Sequence, residues 1–309
     1  MVYKVKIPLY ILPILCYYID MGKVDYLQVA DIAKAWEVSD RSVRNYCCHG
    51  RVPGAIIAGK TWQIPADTPK PKRQIRHCRK KEETVLEQLK REKDSGFKGG
   101  MYHRIQIDFT YNSNHIEGSR LTPEQTRYIF ETNTIGITDK SVNVNDIIET
   151  VNHFRCVDLA IEGAKSKLTE SFIKQLHFIL KNGTSDSRKS WFKVGEYKLL
   201  ENEVGGMETA APEDVKPRMK ELLAWYNAKK VVTLDDILDF HVRFERIHPF
   251  QDGNGRVGRL IMFKECLKNN LKPIIITEQL KWFYYRGLKE WFHERGFLRE
   301  TCLEAMEGV

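Results

Sequence analysis

The sequence lacks any apolar run long enough to cross a membrane, which takes about 20 consecutive residues in a helix. It also lacks the C-x-x-C spacing typical of zinc sites, since its seven cysteines are scattered over 309 residues. An odd number of scattered cysteines predicts reduced thiols rather than a disulfide framework. These absences favour a cytoplasmic protein without a membrane segment.

Excess charge of either sign is missing from most of the chain. Residues 83–309 contain 34 Lys and Arg and 34 Asp and Glu, whereas residues 1–82 contain 15 and 7, which accounts for the whole net charge of +8. Excess cations confined to one part of a chain predict a polyanionic partner there. Together with the length, this asymmetry predicts two domains.

Residues 21–68 have the pattern of a small DNA-binding domain. Apolar residues from Leu27 to Trp36 predict a short helix, Ser39 caps a second helix from Asp40 to Cys48, and residues 55–64 predict a hairpin. This order resembles an excisionase-like winged helix-turn-helix domain. The resemblance implies that the second helix is a recognition helix, which contacts DNA through Arg41, Ser42, Arg44 and Asn45. It also implies that Lys60 lies near a DNA phosphate. A basic protein-docking module is the alternative.

Two flanking segments have no fold signal of their own. Residues 1–20 mimic a signal peptide, but two prolines interrupt the apolar run and no small-residue cleavage site follows. Because Met21 follows directly, we favour an uncertain upstream extension over a secretion signal. Residues 69–82 begin Pro-Lys-Pro-Lys-Arg, which predicts an extended basic linker.

Helical periodicity dominates residues 83–309, so the predicted fold class is mainly α. The predicted helices are Val85–Lys93, Tyr102–Ile116, Pro123–Phe130, Asp146–Gly163, Thr169–Leu180, Asp214–Lys229, Leu234–Ile247, Val257–Leu267 and Thr277–Trp291.

The stretch from His248 to Arg259, HPFQDGNGRVGR, lies between two of these helices and concentrates the polar chemistry of the chain. Gly253 and Gly255 let the backbone approach an anion at a helix N-terminus, and Asn254 tolerates the same left-handed conformation. Arginine side chains grip phosphate oxygens in a bidentate manner. The pattern therefore predicts a polyphosphate site.

Four further residues of this stretch fit a reaction at phosphate. Arg256 and Arg259 are the cations, Asp252 is a hard oxygen ligand suited to Mg²⁺, and His248 is placed to accept a proton from an attacking hydroxyl. Gly253, Gly255 and Gly258 also spell the G-x-G-x-x-G of dinucleotide-binding folds. That fingerprint requires a β-strand before its first glycine, and here a helical pattern precedes it.

Residues 248–259 match the Fic motif, H-x-F-x-D/E-G-N-G-R-x-x-R, at every defined position, and the resemblance extends from about Glu83 to near the C-terminus. Fic family members are mostly helical and transfer AMP from ATP to a Ser, Thr or Tyr hydroxyl of a target protein. The resemblance implies that His248 deprotonates the hydroxyl and that Asp252 holds Mg²⁺ against the phosphates. It implies too that residues 253–256 cradle the α- and β-phosphates, that Arg259 reaches the γ-phosphate, and that pyrophosphate leaves.

An upstream segment, Ser113–Gly118, fits the inhibitory motif of the same family, S/T-x-x-x-E-G/N. Ser113 and Glu117 are four residues apart and share a helix face near 102–118, and Gly118 is placed to end that helix with a left-handed residue. The resemblance implies that Glu117 pairs with Arg259, occupies the place of the γ-phosphate and makes the enzyme self-inhibited.

Residues between the two motifs predict a β-hairpin flap with a turn at Gly205-Gly206. The family uses such a flap to pair with the target backbone, as in strand addition, and Val204 and Met207 are its candidate clamp residues. A plain surface hairpin is the alternative.

Three functions remain open at this point. The first is a self-inhibited AMP transferase with a DNA-binding head. The second is a DNA-binding transcriptional regulator whose Fic domain senses nucleotide. The third is a related Fic enzyme that uses another nucleoside triphosphate or removes AMP. A homo-oligomer is compatible with all three.

Overall fold

In the computed structural model the described residues are 24–72, 83–136, 141–204 and 207–308, and for residues 203, 204, 207 and 208 the description is limited to the backbone. The chain divides into two compact units, with the boundary between Lys80 and Lys81. The predicted extension 1–20 and most of the predicted linker lie outside the described residues. Each unit is described by itself.

Within residues 24–72 the first unit contains two short helices and a three-stranded antiparallel sheet of order β1-β3-β2. Its elements in chain order are β1 Tyr26–Gln28, α1 Val29–Ala35, α2 Asp40–Cys48, β2 Ile56–Ala58 and β3 Thr61–Pro65. Both helices and the β2–β3 hairpin were predicted. Strand β1 was not, and Leu27, which we assigned to the first helix, pairs with Ile64 in the sheet instead. A strand of three residues is too short for alternation to reveal it.

The start of α2 follows from its cap. The Ser39 side chain accepts a hydrogen bond from the backbone N–H of Ser42 at 3.3 Å, which satisfies a donor of the first turn. The apolar face of α2 packs into a small core, whose buried members are Val29, Ile32, Ala33, Trp36, Val43, Cys47, Val52 and Ile64. The opposite face of α2 is exposed. The assignment of this unit as a winged helix-turn-helix domain stays a prediction.

The second unit is mainly helical, which confirms the predicted fold class. Its helices are α3 Val85–Ser95, α4 Met101–Ile116, α5 Pro123–Thr132, α6 Val144–Glu162, α7 Glu170–Lys181, α8 Pro212–Asn227, α9 Leu234–Ile247, α10 Asn254–Lys268, α11 Lys281–Glu290 and α12 Gly296–Glu307. Strands β4 Glu203–Val204 and β5 Met207–Glu208 form a hairpin, and 3₁₀ turns occur at Asp186–Arg188 and Glu278–Leu280. Every helix within the described ranges is too short or too polar to serve as a membrane span.

Capping boxes fix two helix starts where the sequence predicted them. Thr122 with Gln125 begins α5, and Thr233 with Asp236 begins α9, each pair exchanging side-chain and backbone hydrogen bonds. The prediction of one helix from Thr277 to Trp291 was wrong at its start, which is a 3₁₀ turn. Helix α12 was not predicted, although its buried Leu298, Cys302, Ala305 and Met306 have helical spacing.

Helix α10 lies at the centre of the second unit. Thirteen of its residues are buried, and it contacts α3, α4, α6, α7 and α9. Such a helix shows little amphipathic pattern, because no side faces water. Its N-terminus, which follows the glycine-rich loop, is therefore held rigidly inside the protein rather than on a mobile surface.

Candidate active site

His248 ends helix α9 in a left-handed conformation, with φ 50° and ψ 62°. Its backbone N–H donates to the carbonyl of Phe244 at 2.9 Å. A residue with a β-carbon adopts this conformation at a cost, so the turn is held by its surroundings. The turn directs residues 249–253 toward the start of α10.

Asn254 closes this loop. Its side-chain Oδ1 accepts from the N–H of Phe250 at 2.8 Å, and its Nδ2 donates to the carbonyl of Phe250 at 2.7 Å. Gly253 has φ 79°, as expected for the residue before α10. Asn254 does not use the left-handed conformation that it could tolerate, because α10 already begins at Asn254 and its amide acts as a clamp.

The Glu117 carboxylate lies 2.7 Å from the Arg259 guanidinium. Arg259 also donates to Ser113, through Nε to Oγ at 3.1 Å and through Nη2 to the backbone carbonyl at 2.8 Å. Burial would lower the pKa of Arg259, but the charge of Glu117 outweighs it and the pKa is raised. Gly118, directly after α4, has φ 97°, the left-handed conformation predicted for it.

The same carboxylate lies over the first turn of α10. A β-carbon added to Gly255 would come within 2.2 Å of Oε1 of Glu117. Unpaired N–H groups and the helix dipole make a helix N-terminus favourable for an anion. An anion belonging to the protein itself thus occupies the place predicted for phosphate.

A cavity of about 900 Å³ opens beside these groups, and His248, Glu117, Gly255 and Arg259 all line it. Its volume is in the range of small-molecule sites. The remaining wall combines aromatic rings and cations, among them Arg218, Arg246, Trp282, Tyr284, Tyr285, Arg286 and Lys289. This lining suits an anionic ligand that carries a flat ring.

His248 is uncharged at neutral pH. Its side chain is 15% exposed, and burial lowers its pKa to about 4, an effect that the positive charge of Lys198 reinforces. Lys198 is itself buried and donates to Asn202 Oδ1 and Thr209 Oγ1, each at 2.6 Å. A neutral imidazole is the form that can accept a proton from a hydroxyl.

Asp252 and Arg256 belong to a cluster of ion pairs outside the cavity lining. The Lys181 ammonium contacts Oδ2 of Asp252 at 2.6 Å, and it contacts Glu149 at 2.5 Å. Arg256 pairs with Glu149 and lies 3.5 Å from Asp252. Burial would raise the pKa of Asp252, but the Arg256 and Lys181 charges outweigh it and hold that pKa well below its usual range.

Asp252 fits a metal ion that arrives together with phosphates. Half of its side chain is exposed, it stays ionised, and both cations contact the same oxygen, Oδ2. Within the described ranges no group of three or more His, Cys, Asp or Glu residues could enclose a metal ion. Mg²⁺ needs only one or two carboxylates when phosphates complete its coordination.

The flap begins next to the motif loop. The N–H of Lys198 donates to the carbonyl of Pro249 at 2.9 Å. His177 accepts from the N–H of Gly195 at Nδ1, so its Nε2 carries the hydrogen and donates to the Asp252 carbonyl at 3.2 Å. The β4–β5 hairpin was predicted, whereas its turn and the side chains of the clamp residues Val204 and Met207 lie outside the described residues.

Lys181, Glu149 and Glu245 are among the site residues that the sequence did not reveal. Lys181 and Glu149 come from α7 and α6, and no local pattern connects them with Asp252. Glu245 precedes His248 by three residues on α9, so its proximity could have been inferred from helical spacing.

The predicted DNA contacts lie together on α2 of the first unit. Arg41, Arg44 and Asn45 are exposed, and Ser42 is partly exposed beside the cap residue Ser39. Lys60 is exposed at the turn between β2 and β3. Arg41, Arg44 and Asn45 lie on the face of α2 opposite the buried Val43 and Cys47.

Comparison with known proteins identifies relatives of the second unit. Residues 167–266 match the Fic/DOC family. Proteins named protein adenylyltransferase Fic from Drosophila erecta and Drosophila melanogaster are each 29% identical over 187 residues, which cover 58% of this chain and 36% of either relative. The chain thus spans little more than a third of the length of these curated relatives.

Solved structures agree on the fold. A Fic domain containing signaling protein from Bacteroides thetaiotaomicron aligns with a TM-score of 0.57 and 28% identity over 73% of this chain and 84% of that one. Fic-1 from C. elegans aligns with a TM-score of 0.54 and 19% identity over 72% and 69% of the two chains. The second similarity concerns the fold alone.

Proposed function

We propose that this chain, which contains a Fic/DOC family domain, is a self-inhibited transferase that moves AMP from ATP to a Ser, Thr or Tyr hydroxyl of a target protein. The curated relatives bear the name of that activity. The observation that carries the proposal is the position of Glu117, which binds Arg259 and covers Gly255 at the N-terminus of α10.

In the proposed reaction the neutral imidazole of His248 accepts the proton of the target hydroxyl. The hydroxyl oxygen then forms a bond to the α-phosphorus of ATP, the bond from that phosphorus to the bridging oxygen breaks, and pyrophosphate leaves. Arg259 and the N-terminus of α10 stabilise the negative charge that develops on the phosphates. Holding both reactants in one cavity supplies much of the remaining rate enhancement.

Asp252 is the residue that would hold Mg²⁺, which neutralises charge on phosphate oxygens when it is bound. Lys181 and Arg256 keep this carboxylate ionised and fixed beforehand. His177 holds its backbone carbonyl.

Self-inhibition follows from competition for one anion site. Arg259 is buried and needs a negative partner, which is either the Glu117 carboxylate or a phosphate group of the nucleotide. Both cannot lie over Gly255 at once. Glu117 therefore has to leave before ATP can bind in the arrangement that the reaction needs.

The test is transfer of label from ATP radiolabelled at the α-phosphate to the protein itself and to added lysate proteins. We expect Glu117→Gly to increase labelling strongly over the unmodified chain, and His248→Ala in that background to abolish it. Glu124→Gly, which removes an exposed carboxylate from the first turn of α5, is the matched control and should leave labelling at its original level. Equal labelling in Glu117→Gly and Glu124→Gly would contradict the inhibitory role.

Parallel incubations separate the alternative functions. Labelling from α-labelled UTP, GTP or CTP instead of ATP would indicate another donor. Loss of label when the unmodified chain is added to labelled product would indicate AMP removal. Nucleotide binding by Glu117→Gly without any transfer would favour a nucleotide sensor.

We also propose that the first unit binds duplex DNA through the exposed face of α2. The supporting observations are the cationic and polar side chains on that face and the confinement of the net positive charge to residues 1–82. In a mobility-shift assay with the full chain, Arg41→Ala combined with Arg44→Ala should weaken binding and its dependence on salt. Lys34→Ala, which removes an exposed cation from α1, is the control, and no shift of any duplex at low salt would refute the proposal.

A further inference from the structure

Three buried polar atoms without hydrogen-bond partners belong to neighbouring side chains beside the cavity: Nδ1 of His241, Oε1 of Glu245 and Nδ1 of His248. Oε1 of Glu245 is 3.9 Å from Nδ1 of His241, and Oε2 is 4.0 Å from Nδ1 of His248. An unpaired buried polar group destabilises the folded state, so three neighbouring ones indicate a role other than stability.

Packing around Glu245 leaves only one side of its carboxylate open to a hydrogen-bond partner. Its side chain is 12% exposed, and α10 packs against it so closely that a β-carbon on Gly258 would lie 2.4 Å from Oε1. On the far side, Nε2 of His241 is hydrogen-bonded to the hydroxyl of Tyr284 at 2.6 Å. Glu245 and His248 both line the cavity, so the open side of Glu245 faces the candidate base.

The chemistry of the imidazole explains what a carboxylate does there. Nε2 of His248 can accept a proton only if Nδ1 carries the other ring hydrogen, and that hydrogen needs an acceptor to fix the tautomer. A separation of 4.0 Å is too long for a hydrogen bond, but a small rotation of either side chain closes it. The backbone carbonyl of Glu245 also favours the protonated imidazole, so it is the competing explanation.

We propose that Glu245 is a positioning residue for His248, accepting a hydrogen bond from Nδ1–H and so keeping Nε2 free to receive the proton of the target hydroxyl. The reaction step rests on the proposed function, whereas the hydrogen bond does not. The proton moves from the hydroxyl to Nε2, and Glu245 stabilises the resulting imidazolium without taking a proton itself.

Glu117 is linked to this role by charge. Glu245 faces His241 on its own helix and His248 at the end of that helix. It also faces Arg259 on α10, Glu117 directly after α4 and Tyr284 on α11. Burial raises the pKa of Glu245 to about 8, and the negative charge of Glu117 adds to this while Arg259 opposes it. Departure of Glu117 therefore favours the ionised Glu245 that can accept from Nδ1–H.

Two substitutions in the Glu117→Gly background separate acceptor from charge. Glu245→Met keeps the volume but removes the acceptor, and kcat for AMP transfer should fall on the order of 100-fold, less than loss of a triad carboxylate causes, because the backbone carbonyl remains. Glu245→Gln keeps an acceptor without charge, and its kcat should lie between that of Glu245→Met and that of the Glu117→Gly parent. KM for ATP should change by less than about twofold, since Glu245 is not expected to bind nucleotide. Glu304→Gln, an exposed carboxylate on α12, is the control.

The second readout does not depend on turnover. Ring ¹⁵N shifts of His248, assigned by their loss in His248→Ala, report which nitrogen carries hydrogen. We expect the Nδ1–H tautomer in Glu117→Gly and a shift toward Nε2–H when Glu245→Met is added.

The outcomes are decisive in either case. Unchanged ring shifts in Glu245→Met would overturn the proposal, whatever happens to kcat, because the backbone carbonyl would then suffice. An unchanged kcat would overturn it too. If Glu117→Gly transfers no AMP, the proposed function fails and the ring shifts alone decide on Glu245.

Discussion

The ammonium group of Lys181 lies 2.6 Å from the carboxylate of Asp252, although 71 residues separate them in sequence. Lys181 is the last residue of α7 and is almost fully buried, so its charge is directed at the motif loop and at Glu149 of α6. This contact keeps Asp252 ionised and in place before any ligand binds. The metal-binding carboxylate of the proposed mechanism is thus organised by a residue outside the motif.

Replacement of Lys181 by methionine should destabilise the second unit. The change removes one of the two cations that Glu149 and Asp252 share and leaves Arg256 in place, and removal of one partner from a buried ion pair costs about 3–5 kcal/mol. We expect a value near the lower end, because half of the Asp252 side chain is exposed. The measurement is urea unfolding, with Lys216→Met on the exposed side of α8 as the control. A loss no larger than that of the control would show that the cluster contributes little to stability.

Gly255→Ala tests the anion site without removing a charge. The new methyl group would occupy the space over the first turn of α10 that Glu117 now fills, 2.2 Å from Oε1. In the Glu117→Gly background we therefore expect ATP affinity, measured by calorimetry, to fall by about tenfold or more, equivalent to at least about 1.4 kcal/mol. Stability should hold or rise slightly, because alanine favours helix over glycine by about 1 kcal/mol. If the affinity for ATP is undiminished, the phosphates do not bind over Gly255.

Gly287→Ala should behave in the opposite way. Its β-carbon would lie 2.6 Å from the Cα of Leu298 and 2.8 Å from its backbone nitrogen, and backbone atoms cannot swing aside as the Glu117 carboxylate can. Overpacking of this kind costs about 1–3 kcal/mol, which exceeds the gain in helix propensity. Thermal unfolding should show a lower Tm than in Gly308→Ala, where nothing lies within 4 Å of the added carbon. Equal Tm values would mean that α11 and α12 separate easily.

Glu245 predicts a specific dependence of stability on pH. Its pKa is raised from 4.5 to about 8 by burial, so the folded chain keeps a proton over an interval in which the unfolded chain releases it. The stability that this proton contributes is present below pH 4.5 and is lost as pH rises to 8. The side chain of Glu245→Gln does not titrate. As pH rises across the interval, the free energy of unfolding of Glu245→Gln should therefore increase relative to that of the unmodified chain, by up to about 1.4 kcal/mol per pH unit. Paired urea titrations from pH 5 to 8 would measure this, and a constant difference would refute it.

Local signals in the sequence predicted a large part of the fold. The start of α9 at Leu234 and the turn at Gly118 after α4 were both predicted, because capping and left-handed glycine depend on neighbouring residues only. The clamp of Asn254 on Phe250 was not predicted, since it depends on where α10 begins. Strand β1 exists only because β3 pairs with it.

The residues of the candidate site also differ in whether the sequence alone could identify them. His248, Asp252 and Arg259 could be identified because their spacing matches a motif. The pairing of Glu117 with Arg259 followed from a family resemblance, not from any property of either segment. Lys181 and Glu149 could not be identified, because tertiary packing alone brings them to Asp252.

The backbone of His248 has a consequence for how this site can vary. At φ 50° a glycine or an asparagine would fit the end of α9 with less strain than an imidazole-bearing residue does. Selection of variants for thermal stability would therefore tend to replace this histidine. A substitution that stabilises the fold at position 248 would remove the proposed catalytic base.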